Sequence, residues 1–107
     1  MSETEKKQLD KEFYERADAH ISLANDHINA QAHPELASNS LMYAASRFNA
    51  WITAAKFKSA EEMKNEKKEI LDFYTVQYRR MLEENFDNYA EYYEQYMGGD
   101  EKSTNKS

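Results

Sequence analysis

The chain has 107 residues, the length of one ordinary domain, with no cysteine, two glycines and one proline; this excludes disulfides and thiolate metal sites and leaves little turn chemistry for a sheet. Charged residues make up 32% and apolar residues 40%, enough for a modest core. The net charge of -6 speaks against nucleic acid as a partner, because phosphate contacts need a basic face.

In chain order, the N-terminus MSETEKKQLDKEF is polar and lacks the apolar core of a signal peptide. Residues 1–7 are expected to be flexible, and a single helical domain is expected over 8–97. No stretch is apolar for long enough to span a membrane, so a cytoplasmic protein with no membrane partner is expected. From Leu9 to Ala32 the apolar residues Phe13, Ala17, Ile21, Ala24 and Ile28 recur in steps of four and three, which predicts a first helix. Pro34 disfavours helical geometry at His33 and breaks it. A second helix is predicted to start at Ser38 to Ser40, where a serine or asparagine can cap it, and to run to Phe57. Ser59 with Glu62 is a capping-box pattern opening a third helix, with Met63, Ile70, Tyr74 and Met81 on one face. The face continues through Tyr89, Tyr92, Tyr93 and Tyr96, spaced i, i+3, i+4, i+7. Gly98 can cap that helix, and 98–107 reads as a disordered tail.

Short connections favour antiparallel neighbours. The predicted fold is therefore all-α: an antiparallel three-helix bundle with a long C-terminal helix. An unbroken run from Ala60 to Met97 would have about 38 residues and span roughly 57 Å, overhanging the other two helices. A break near Asn85–Asn88, setting off a short fourth helix, is expected because asparagine and aspartate prefer caps to helix interiors.

Three stretches, FYERADAHISLAN (Phe13 to Asn25), SLMYAASRFNAW (Ser40 to Trp51) and YRRMLEEN (Tyr78 to Asn85), together resemble a small proteobacterial family, the domain of unknown function 3144. The pattern from Met42 to Trp51 is its most specific part. The resemblance implies a bacterial, cytoplasmic, all-helical protein with no assigned activity, and it carries over no functional residue.

Within the second helix, Leu41, Ala45, Phe48, Ile52 and Ala55 form one face, and Met42, Ser46, Ala50, Thr53 and Phe57 the opposite one. A helix this apolar all round is expected to be buried on more than one side. Arg47 and Asn49 project between those faces. A buried guanidinium must be paired, and the antiparallel register offers Asp26, Glu69 or Asp72, so Arg47 is expected to pin helix register. The alternative is an anion or small-ligand groove formed by Arg16, His20, Tyr43 and Arg47, supporting a ligand-binding protein or enzyme. His20 and His27 are seven residues apart, about 10.5 Å along the axis, too far to share one ion. The residues three before His20, His27 and His33 are all alanine, so the Glu-x-x-His of a di-iron bundle is missing. No metal site, no cofactor and no catalytic residue is predicted.

From Glu83 to Glu101 there are seven acidic residues and no lysine or arginine, which is either a solvated face or a surface for a basic partner. Tyr89, Tyr92, Tyr93 and Tyr96 supply amphipathic surface suited to an interface. The functional expectation is a small interaction or regulatory module acting by binding to a protein partner, with a homodimer as the expected assembly.

Overall fold

The computed structural model describes residues 2–98. Among these residues there are five helices and no strand: α1 (Glu3–Asp26), α2 (Pro34–Ala54), α3 (Ala60–Asn65), α4 (Lys67–Glu91) and α5 (Tyr93–Met97). The protein is all-α, with five helices where three, or four with a break, were expected. The chain falls into two units, Met1–Ile52 and Thr53–Ser107. The predicted tail lies outside the described residues, apart from Gly98.

In the first unit α1 starts at Glu3 rather than Leu9. The cause is a capping box that sequence reading passed over: the Glu5 N–H donates to Ser2 Oγ at 3.1 Å, and the Ser2 N–H donates to Glu5 Oε1 at 3.0 Å. The polar start is therefore helical from its third residue. Exposed pairs Lys6–Asp10 (3.3 Å) and Lys11–Glu15 (2.7 Å) line the helix, each contributing a few tenths of a kcal/mol. The helix ends at Asp26, short of Ala32. Asn29 draws the backbone away, its Oδ1 accepting from the Gln31 N–H (2.8 Å) and the Ala32 N–H (2.9 Å), a local turn that competes with helix. Then α2 begins at Pro34 itself, ahead of Ser38: proline suits the first helical position because it has no N–H to leave unpaired. The His33 carbonyl accepts from Leu36 (2.9 Å) and Ala37 (3.3 Å).

In the second unit the chain leaves α2 at Ala54 through a turn in which Lys56 donates to the Thr53 carbonyl at 3.0 Å. Ser59 caps α3 as expected, its Oγ accepting from the Glu62 N–H at 3.1 Å, while the Glu62 carboxylate accepts from the Lys58 N–H at 2.8 Å. A brief interruption at Glu66 (φ -98, ψ 8) separates α3 from α4. The break expected at Asn85–Asn88 is absent, and α4 runs through it. Asn85 fits a helix interior because its Nδ2 donates to the Met81 carbonyl one turn back at 3.0 Å. The interruption falls instead at Tyr92 (φ -109, ψ 34). Its N–H still reaches the Asn88 carbonyl at 3.1 Å, so the side-chain phase carries into α5. Gly98 ends α5 as expected, at φ 72 with its N–H on the Glu94 carbonyl at 2.8 Å.

Among the described residues only Ala37 and Thr53 are buried. Met63, Ile70 and Tyr74, three of the residues expected to share a face, are half-buried. On α2, Leu41, Met42, Phe48 and Trp51 are all exposed, Trp51 to 65%. No helix among the described residues is long and apolar enough to cross a membrane.

Candidate functional site

Arg16 and His20 lie one turn apart on α1, and Tyr43 and Arg47 one turn apart on α2. Helical spacing brings each pair to one side of its own helix. All four side chains are exposed, and no hydrogen bond or ion pair among the described residues joins the α1 pair to the α2 pair. Arg47 was expected to be buried and paired. It is exposed, and the four ion pairs among the described residues are all i, i+4 pairs inside α1 or α4. The sequence places an arginine between two apolar faces, but apolar faces left open to solvent do not desolvate it. On the same helix the rings of Phe48 and Trp51 lie 5.8 Å apart, and both are exposed. Among the described residues no three histidine or carboxylate side chains gather as a metal site would require.

The tyrosine stripe has more structure. Tyr89 sits in the last turn of α4, Tyr92 at the interruption, and Tyr93 and Tyr96 on α5. The Tyr89 and Tyr96 rings lie 4.4 Å apart between centroids, tilted by 44°. The Tyr96 hydroxyl donates to Asn88 Oδ1 at 3.0 Å. That bond spans the interruption and holds α5 in line with α4. Asparagine propensity predicts a helix break at Asn88, but Asn88 is a clamp, and its spacing of eight residues from Tyr96, just over two turns, is the sequence signal for it. The four tyrosines remain 41–58% exposed.

The stripe also extends back along α4. At 3.6 residues per turn Tyr78, Met81 and Leu82 fall on the same side as Tyr89, Tyr92 and Tyr96, and all three are exposed. Glu83, Glu84, Asp87, Glu91 and Glu94 fall outside it, also exposed, and no cation lies between Met81 and Gly98. The result is an amphipathic surface: a tyrosine-rich apolar band backed by carboxylates.

Residues 13–90 match the family described as protein of unknown function, DUF3144. The chain belongs to that family. A Shewanella protein whose structure was determined by NMR is similar to it, with 34% sequence identity and a TM-score of 0.70 over 83% of this chain and 94% of that one. None of the curated proteins matches. The three stretches that carried the resemblance all lie inside the DUF3144 match, as do Arg16, His20, Tyr43, Arg47 and Tyr89; Tyr92, Tyr93 and Tyr96 lie beyond its end.

Proposed function

We propose that this DUF3144 protein is an interaction module that acts by binding, and that it associates with a second copy of itself through the tyrosine-bearing face of α4 and α5. The carrying observation is the exposure of Tyr78, Met81, Leu82, Tyr89, Tyr92 and Tyr96 along one side of a continuous helical run. Proteins that act alone rarely leave large exposed apolar surface of this kind in water. Tyrosine suits an interface because its ring supplies apolar contact and its hydroxyl stays satisfied at the rim. In this reading residues 8–97 work as one helical domain, and the antiparallel three-helix arrangement is its assembled state.

Sedimentation velocity on the intact chain, and on a chain ending at Asn85, tests the proposal. The intact chain is expected to sediment as a dimer and the shortened one as a monomer. Monomers in both cases, with stability lost on shortening, would mean that the band folds onto its own chain and would remove the proposal.

A further inference from the structure

Resting on the self-association just proposed, we infer that two copies pair α4–α5 against α4–α5 in antiparallel orientation, about a two-fold axis near Leu82. Area and charge both lead there.

Area comes first. Tyr78, Met81, Leu82, Tyr89, Tyr92 and Tyr96 are each 41–51% exposed. At roughly 100 Å² apiece they offer on the order of 600 Å² per chain. A pair covers twice that, the lower edge of what a stable interface needs, about 1,200–2,000 Å² in total. The band lies within the continuous helical run from Lys67 to Met97, and the pairing that buries most surface overlaps that whole run. Full overlap is available in parallel, with residues in register, or in antiparallel, with the axis at the midpoint, Leu82.

Charge chooses between them. The half beyond Leu82 carries Glu83, Glu84, Asp87, Glu91 and Glu94 with no base, whereas the half before it carries Lys67, Lys68, Arg79 and Arg80 against Glu69 and Asp72. A parallel pair sets five carboxylates beside five more. An antiparallel pair sets each acidic half beside its partner's basic half. Like-charge juxtaposition selects against a wrong orientation, in the way that flanking charges choose orientation in coiled coils. Lys68 and Arg79 already engage Asp72 (2.9 Å) and Glu83 (3.6 Å) within α4. These pairs are exposed, so the complementarity acts through the field of the two halves rather than through new buried bonds.

The absence of native cysteine makes the test direct. Single nitroxide labels are attached to the full chain at Gln95→Cys, far from the proposed axis, and at Glu84→Cys, next to it, and dipolar distances between copies are measured. Antiparallel pairing places the two Gln95 labels roughly 39 Å apart along the helix and the two Glu84 labels within about 10 Å along it. Short distances at both positions mean a parallel dimer; they overturn this inference and leave the self-association standing. No dipolar signal, with a monomeric mass, overturns both. A second measurement reads charge alone. Lys67→Glu combined with Lys68→Glu is expected to weaken dimerisation several-fold at low salt, the loss fading at high salt as screening sets in. Dimerisation unchanged at low salt would overturn the antiparallel assignment.

Discussion

Replacing Tyr89 with alanine in the full chain is the sharpest test of the tyrosine band. Tyr89 is 43% exposed, so about 90 Å² of a side chain of its size is open to a partner. At about 25 cal/mol per Å² that surface is worth about 2 kcal/mol per copy when covered. A two-fold pair loses the contact twice. If half the open surface is covered, dimerisation weakens by about 2 kcal/mol in all, roughly 30-fold in Kd. Alanine is the best helix former, so α4 itself should persist, and helicity by circular dichroism serves as the check. The ring contact with Tyr96 is lost too, but the Tyr96 hydroxyl keeps Asn88 as its acceptor. Sedimentation equilibrium over a range of concentrations gives the Kd, with Lys11→Ala as the control, since it removes only an exposed pair with Glu15 on α1. A Kd for Tyr89→Ala within threefold of the unsubstituted chain would refute the assignment of this face.

Ser59→Ala removes the acceptor for the Glu62 N–H and is expected to cost about 1 kcal/mol, read by urea denaturation. Asn29→Ala removes the acceptor for two backbone N–H groups and should cost about 1 kcal/mol in the same assay, with faster amide exchange confined to residues 29–33. Arg47→Ala, at an exposed position, should change stability by no more than about 0.5 kcal/mol; a loss of several kcal/mol would show that Arg47 is buried and paired in the assembled protein. The melting temperature should rise with protein concentration, because a partner that binds only the folded state stabilises it by mass action; a concentration-independent value would count against self-association.

How much of this was legible in the sequence depended on the range of the interaction that decides each feature. Ser59 and Glu62 were read as a cap and are one. Ser2 and Glu5 carry the same signature and were passed over, because the polar stretch around them offers no apolar periodicity to announce a helix. Asn29 and Asn85 show why residue type alone misleads. The same side chain turns the chain at Asn29 by accepting from N–H groups ahead of it, and is accommodated inside α4 at Asn85 by donating to a carbonyl behind it. Propensity averages over those two uses and so misplaced the break in α4, while the end of α1, expected from Pro34, is set earlier by the Asn29 turn.

Longer-range features were legible in direction but not in distance. Helical spacing says that Arg16 and His20 share a side of α1, and Tyr43 and Arg47 a side of α2; it does not say whether the two sides meet. The tyrosine band is different, because every residue in it lies on one run of helix and needs no second element to align it. Its partner is the part that periodicity cannot encode. An apolar stripe records that a surface must be covered, and the same stripe would arise whether the cover were another helix of the chain or another copy. Exposure narrows that choice. Isolated helices are marginal in water and owe most of their stability to the burial of one face, yet only Ala37 and Thr53 are buried among the described residues. In the proposed self-association a second copy supplies that cover, and the segregation of acid from base along α4 and α5 distinguishes between the ways two copies can pair.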